Sequence, residues 1–256
     1  MHQTIARTAV CAATAVCALS SQAATFSDTS IGYRYGTDYA EPFNANAISK
    51  DIINLNHVSG YKYGSNFFNV DMLLSDSKDP AGKGSTNGAQ EVYVVYRNTV
   101  DLEKAMGSKF AFGPFRGVGI TAGFDYNTKT DAGYNSKKRM IVAGPTFMAD
   151  VPGFLNISVL YLWESNAPFN TFSGVSTPRY NYDPHAMIGA AWGIPFSIGS
   201  VPFAFEGFAN IIAAKGKNEA GADTAAEQAK QGPMLDFRLG DKAAMSTRQQ
   251  QNDVEP

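Results

Sequence analysis

The chain has few charged residues and, beyond its first two dozen positions, no long apolar run. Asp, Glu, Lys and Arg make up 17% of its 256 residues, against about 25% in ordinary soluble domains. A membrane-spanning helix needs roughly 20 consecutive apolar residues, and no such run follows the amino-terminal segment. The composition therefore argues against a helical membrane protein and is unusual for a soluble enzyme.

Cysteine is missing from the region that is expected to form the mature protein. Both cysteines, Cys11 and Cys17, lie in the amino-terminal segment. This segment has a weakly positive start, an apolar stretch over 9–19 and small residues at 21–23, which is the layout of a secretory signal peptide cleaved after Ala23. An exported chain without disulfides depends on a large core or on extensive backbone pairing. Thiol catalysis and cysteine metal sites are excluded with the cysteines.

Aromatic residues and period-two alternation are abundant instead. Phe, Trp and Tyr make up 12% of the chain. Along 117–126, large apolar side chains such as Ile120 and Phe124 alternate with small or polar ones, which predicts a half-buried strand. Strands of this kind are predicted at 26–36, 49–62, 66–76, 89–100, 116–127, 138–149, 154–165, 184–194, 201–213 and 232–240. The faces of the strand at 138–149 stay ambiguous, because Met140, Ile141 and Val142 are all apolar.

The predicted connections alternate between short and long. Short turns are expected at 63–65, 150–153 and 195–200, and long polar loops at 37–47, 77–88, 128–137, 166–183 and 214–231. One further connection on the short side, 101–115, is longer and is expected to hold a helical turn over 102–106. Strands of about ten residues cross roughly 25 Å when tilted. This pattern is typical of outer-membrane barrels, whose tight turns face the periplasm and whose long loops face outward.

Several segments resemble a known family of outer-membrane channels. They are 112–116 (FGPFR), 144–147 (GPTF), 150–154 (DVPGF) and 156–163, together with the opening segment 29–36 (TSIGYRYG). The chain is similar here to the nucleoside-specific outer-membrane channel (Tsx-like) family, in its proteobacterial outer envelope protein branch. The resemblance implies a monomeric, antiparallel up-and-down transmembrane β-barrel of twelve strands that passes nucleosides through a narrow lumen.

The chain departs from that family at its carboxyl end. Ten strands are predicted instead of twelve, and residues 241–256 form a polar tail without the terminal aromatic residue that barrel-insertion machinery recognises. The chain is therefore either a smaller variant or lacks the final strands. The expected organisation is a signal peptide at 1–23, an all-β outer-membrane barrel at 24–240 and a disordered tail at 241–256.

The same prediction places the protein in the bacterial outer membrane as a monomer. Its partners would be outer-membrane lipid, lipopolysaccharide, the barrel-insertion machinery and a small polar solute such as a nucleoside. The formal net charge of −2 gives no reason to expect nucleic acid.

Strand parity predicts which side chains face the lumen, if the large apolar ones face lipid. A lumen of mixed charge with aromatic rings suits a neutral polar solute that has a flat apolar face. The candidate pore-lining and solute-binding residues are Arg34, Asn69, Asp71, Glu91, Tyr93, Arg97, Asp125, Glu164, His185, Glu206, Phe208, Asn210, Asp236 and Arg238.

These residues predict a passive channel for nucleosides or similar small polar solutes, with no cofactor, no metal and no reaction. Two alternatives stay open. The charges could pair and fill the lumen, which would make a non-conducting structural or adhesive barrel with functional external loops. A membrane hydrolase would need His57 or His185, the two histidines after the leader, and neither lies in a recognisable nucleophile motif. The acidic run 75–79 lacks the spacing of an EF-hand and is expected to be a solvated loop.

Overall fold

A computed structural model describes residues 24–41, 44–218, 221, 224 and 227–237, and in them the chain is almost entirely β-structure. The predicted signal peptide and the tail at 241–256 lie outside the described residues. The strands are β1 (Phe26–Glu41), β2 (Asn44–Tyr61), β3 (Gly64–Ser75), β4 (Gln90–Asp101), β5 (Phe115–Lys129), β6 (Arg139–Ala149), β7 (Phe154–Asn166), β8 (Phe169–Asn170), β9 (Val175–Ser176), β10 (Tyr180–Asn181), β11 (His185–Ile198), β12 (Val201–Ile212) and β13 (Glu227–Phe237).

Ten long strands form one antiparallel sheet in the order β1-β2-β3-β4-β5-β6-β7-β11-β12-β13. The short strand β10 pairs with β7, and β8 and β9 form a separate ribbon. The predicted antiparallel up-and-down arrangement is therefore confirmed for the described residues. Within them no pairing joins β1 to β13, and the sheet is a strongly curled half-barrel. The curl is large enough to bring Lys129 Nζ of β5 within 2.6 Å of Glu41 Oε2 of β1, four strands away.

Three predicted boundaries are wrong. The loop expected at 37–47 is strand over 37–41 and 44–47, because Tyr39 pairs with Ile48 and Glu41 with Asn44, so backbone pairing overrides the local turn preference of residues such as Asn44. The strand β11 continues to Ile198 instead of ending near 194, and the last strand begins at 227 instead of 232, while its predicted last residues, 238–240, lie outside the described residues. Where a strand ends depends on the strand with which it pairs, and the alternation of one strand read alone does not show that partner.

The alternation of short and long connections is otherwise confirmed. Residues 62–63, 150–153 and 199–200 form short turns at one end of the sheet, called here the short-turn end, and 76–89, 130–138, 167–184 and 213–226 are the longer connections at the other, the loop end. The predicted helical turn is the helix α1 (Leu102–Met106). The Asp101 side chain caps it by accepting hydrogen bonds from the backbone N–H groups of Glu103 and Lys104. Among the described residues, no helix has the length and apolarity to cross a bilayer.

The convex face of the sheet is apolar and exposed. Apolar residues of neighbouring strands lie side by side along it. Ile53 lies between Tyr33 and Met72, and Ile141 lies between Phe124 and Trp163. Tyr33 is 65% exposed and Ile141 62%. The ambiguous strand β6 is settled in the same way: Ile141 faces outward while its neighbours Met140 and Val142 are buried.

The concave face carries the buried polar side chains. Asn54, Asn69, Asp71 and Asp125 are all nearly inaccessible to solvent, although Asn and Asp are usually exposed in soluble proteins. Glycine allows close strand approach there, since a Cβ at Gly144 would lie 2.0 Å from the backbone oxygen of a residue in β7. The polarity of the sheet is thus inverted, with apolar groups outside and polar groups inside.

Candidate functional site

The concave face surrounds a cavity of about 390 Å³. This volume falls within the range of small-molecule sites, roughly 300–1,000 Å³. Side chains from β1 to β7, β11 and β12 line it; in β1 to β7 they lie mainly in the half nearer the short turns, whereas in β11 and β12 they lie nearer the loop end. Its walls combine aromatic rings such as Phe208 with amides such as Asn156 and hydroxyls such as Ser158. The cavity is therefore amphipathic.

The predicted lumen residues lie together on the concave face wherever their side chains are described. These are Arg34, Asn69, Asp71, Glu91, Tyr93, Arg97, Asp125, Glu164, His185, Phe208 and Asn210. Only Arg97, Phe208 and Asn210 among them line the cavity. The side chains of Glu206 and Asp236, and all of Arg238, lie outside the described residues. The role of the set in binding or conduction stays a prediction.

Paired charges cross the middle of the concave face. An Arg34 guanidinium nitrogen lies 2.5 Å from Asp71 Oδ1, and the same oxygen accepts a hydrogen bond of 2.7 Å from Asn54 Nδ2. Further along, Arg97 lies 2.5 Å from Asp125, which also accepts a hydrogen bond from the Tyr93 hydroxyl. Because the two charges of each pair neutralise one another, the middle of this face presents dipoles to a solute and little net charge.

A second group of charges, the Lys129 cluster, fills the loop end beside β1 to β5. It consists of Glu41, Lys50, Asp79, Lys129 and Asp131. Lys129 Nζ lies 2.6 Å from Glu41, 3.0 Å from Asp131 and 3.3 Å from Asp79. The ammonium of Lys50 pairs with Glu41 as well. All five side chains are less than 9% exposed.

Sequence reasoning missed this cluster. The expectation that 75–79 is a solvated loop is wrong for Asp79, which is 0% exposed, although Ser77 and Lys78 are exposed. One signal was available: Lys129 shares the parity of Asp125 along β5 and so had to face the concave side. Glu41 and Asp79 gave no such signal, since they stood in stretches without a strand pattern.

A third group, the Glu164 cluster, fills the loop end beside β6 to β12. Glu164 lies 3.4 Å from Lys215, 3.6 Å from Lys138 and 3.8 Å from His185. The Lys215 ammonium also lies 4.7 Å from the centre of the Tyr182 ring. Next to it packs a buried apolar group of Met140, Val142, Leu160, Leu162, Met187 and Ile212. The loop end of the concave face is therefore packed, and the packed group borders the cavity, which Leu160 and Met187 also line.

Burial gives Asp79 an unusual titration. Removal from water raises the pKa of its carboxyl; the ammonium of Lys129 opposes this shift, while the carboxylates of Asp131 and Glu41 add to it. A raised pKa in the folded state means that the stability contribution of Asp79 is full below its unfolded pKa of about 3.9 and is lost as pH rises through the folded value.

We therefore expect Asp79→Asn to gain stability relative to wild type as pH rises, because asparagine cannot acquire the buried charge. Urea midpoints of both proteins in detergent, measured from about pH 4 to about pH 8, check this. A constant difference between the two proteins across that range would show that the Asp79 carboxyl titrates normally.

Two histidines, His57 and His185, lie in the described part of the chain. No group of three or more His, Cys, Asp and Glu side chains there is arranged to hold a metal ion. A ring nitrogen of His57 lies 2.8 Å from the Thr29 hydroxyl, and His185 borders Glu164. Neither histidine lines the cavity.

The chain was compared with protein-family models, with curated proteins and with solved structures. None of the three comparisons found a match. The geometry of the concave face is thus the basis for any functional assignment.

Proposed function

We propose that this protein is an outer-membrane β-barrel that lets nucleosides or similar small polar solutes diffuse passively across the bilayer. The observation that carries the proposal is the inverted polarity of the sheet. In water, exposed side chains such as Tyr33, Ile53 and Ile141 would stay unfavourably hydrated. Against acyl chains, an apolar outer face and a polar inner face are what a transmembrane barrel requires.

The proposal includes closure of the half-barrel into a full barrel. An open sheet edge in hydrocarbon leaves backbone groups without partners, at a cost of several kcal/mol for each group. Either β1 and β13 meet directly or further strands complete the wall. The long strands have 11 to 18 residues, enough to cross a band of about 25 Å when tilted.

The orientation follows from the connections. Short turns face the periplasm in such barrels and long loops face outward. The Lys129 and Glu164 clusters then lie on the external side. The protein would be exported, inserted by the barrel-insertion machinery as a monomer, and surrounded by lipid and lipopolysaccharide.

The cavity suits a small amphipathic solute. Phe208 offers a ring for stacking, and Asn156, Asn210 and Ser158 offer groups that donate and accept hydrogen bonds. Binding that is specific but weak speeds passage at low concentration and still permits release. No cofactor and no chemical step are needed.

Conductance across a planar bilayer tests the channel. We expect the refolded mature protein to conduct ions and added nucleoside to reduce the current. Ala191→Leu, which fills the cavity, should weaken the nucleoside effect by about tenfold or more, since one well-placed contact is worth about 1–2 kcal/mol. Ala122→Leu is the matched control, because Ala122 is exposed on the convex face. A folded protein without conductance, or a current that nucleoside never reduces, would reject the nucleoside channel.

A non-conducting envelope barrel with functional loops is the second candidate. The observation that favours it is the packing of the loop half by the Lys129 and Glu164 clusters, which leaves the cavity bounded on that side. This candidate predicts no conductance in the wild type and altered surface interactions when the 167–184 loop is deleted. Altered solute uptake by that deletion would favour the channel instead.

A further inference from the structure

Four hydroxyls form a continuous hydrogen-bonded chain across the cavity wall. The Thr99 and Thr121 hydroxyls lie 2.8 Å apart, Thr121 and Thr146 lie 2.6 Å apart, and Thr146 and Ser158 lie 2.8 Å apart. The four residues belong to four successive strands, β4 to β7, and all of them line the cavity. Nothing in the strand pattern alone requires a hydroxyl at each of these positions.

The proton count of this hydroxyl chain decides what its ends can do. Four hydroxyls carry four protons, and the three hydrogen bonds between them use three. One proton is therefore left over, and when all three bonds run in the same direction it lies at one end of the chain, while the other end has lone pairs to accept with. Because either partner in each bond can be the donor, rotating the hydroxyls reverses the chain. Ser158 can thus act as a donor or as an acceptor without any change in the backbone.

Other groups converge beside Ser158. By register, Ser158 lies next to Gly189 and Gly189 next to Asn210, while one row away Asn156 lies next to Ala191 and Ala191 next to Phe208. Together these six residues form what we call the Ser158 subsite. Ala191 presents only a methyl group, and Gly189 leaves room for the Asn210 side chain, whose Oδ1 lies 2.8 Å from where a Cβ at Gly189 would stand. Phe208 supplies an aromatic side.

One atom of the subsite points independently to a ligand. The side-chain oxygen of Asn156 is buried and has no hydrogen-bond partner among the described residues. Such an acceptor is costly unless something donates to it, and in native proteins it calls for an explanation. An O–H or N–H of a bound molecule would satisfy it.

We infer that the Ser158 subsite binds the hydroxyl groups of a solute that also carries a flat apolar ring. The inference rests on the proposed channel and narrows its solute class to neutral, hydroxyl-bearing ring compounds, of which nucleosides are one kind. A solute hydroxyl donates to Asn156 Oδ1 while it accepts from or donates to Ser158, and the ring stacks on Phe208.

An anionic solute fits this subsite less well. A carboxylate or phosphate accepts hydrogen bonds only, so it would leave the Asn156 oxygen unsatisfied and close to a negative charge. Among the described cavity residues, Arg97 is already paired with Asp125 at 2.5 Å. The other two cations, Lys104 and Arg116, belong to α1 and β5, outside the strands that form the Ser158 subsite. The hydroxyl chain, which can reverse, matches groups that both donate and accept.

Calorimetric binding to the folded protein in detergent tests the inference without relying on conduction. A nucleoside is compared with its dideoxy analogue, which keeps the base but lacks both ribose hydroxyls. We expect the wild type to bind the nucleoside about three- to tenfold more tightly, as one neutral hydrogen bond predicts. Ser158→Ala should reduce that preference to less than about twofold, and Ser158→Thr, which keeps the hydroxyl, should retain it.

Two further variants separate the subsite from general effects on the barrel. Thr146→Val takes away the partner of Ser158 within the hydroxyl chain and should also reduce the preference. Thr128→Val makes the same change on the convex face, where Thr128 is exposed, and should leave it unaltered. Heat-modifiable migration on gels confirms that each variant is folded.

The outcomes distinguish the two proposals. An unchanged hydroxyl preference in both Ser158→Ala and Thr146→Val overturns the Ser158 subsite, even if the protein conducts. A hydroxyl preference that depends on Ser158 in a protein without conductance supports the subsite and rejects the channel. Equal binding of nucleoside and dideoxynucleoside by the wild type overturns the inference outright.

Discussion

Replacing Lys129 with methionine is expected to destabilise the folded protein by about 3–5 kcal/mol, the usual cost of removing one partner from a buried ion pair. Lys129 is 3% exposed, and its ammonium lies within 3.3 Å of Asp79 and closer still to Glu41 and Asp131. Methionine keeps the volume of the aliphatic stem but leaves these carboxylates with the Lys50 ammonium alone. Urea midpoints of the folded form in detergent measure the loss.

The matched control is Lys83→Met in the 76–89 loop. Lys83 is exposed, so the same change there should alter stability by less than about 0.5 kcal/mol. If the barrel conducts, Lys129→Met should also raise its conductance, because the loop end loses the contacts that hold it packed. Equal stability of the Lys129 and Lys83 variants would show that the Lys129 cluster is solvated and contributes nothing.

Replacing Val159 with arginine is expected to cost about 2–4 kcal/mol in a bilayer, the cost of a cation near the midplane of a transmembrane barrel. Val159 lies near the middle of β7, is 41% exposed on the convex face and pairs with Ile188 of β11. On a soluble protein, the same exposed position would tolerate arginine within about 0.5 kcal/mol. Unfolding and refolding in lipid vesicles measures the difference.

Ile198→Arg provides the control by depth. Ile198 ends the neighbouring strand, β11, and is 63% exposed near the short turn. At the membrane interface arginine costs only about 0–1 kcal/mol, so this variant should fold in vesicles nearly as well as wild type. Equal effects of the two substitutions would mean that the convex face has no gradient of depth and does not cross a bilayer.

The long strands and their faces could be predicted because they follow from local alternation. In β5, Ile120 and Phe124 point outward and Asp125 inward, as the period of two requires. The same parity placed Arg34 and Asp71 on one face although they are 37 positions apart. In β6 the residues of both parities are apolar, so alternation did not show which side chains face outward, and only their burial in the structure does.

The parts that could not be predicted depend on the curl of the sheet. Glu41 and Lys129 are 88 positions apart (129 − 41) and meet only because β1 curves toward β5. The Ser158 subsite likewise needs the register that aligns Asn156 with Ala191 and Ala191 with Phe208. One strand read alone shows which face a residue takes but not which residue lies beside it.

If the convex face contacts lipid, as proposed, the tryptophans on that face report the contact directly. Trp163, 46% exposed, and Trp192, stacked on Phe205, are the two tryptophans of the chain. In vesicles made with lipids brominated along their acyl chains, we predict strong quenching of the tryptophan fluorescence of the refolded protein. Unquenched fluorescence, from a chain that stays a compact monomer in buffer without detergent, would contradict the account.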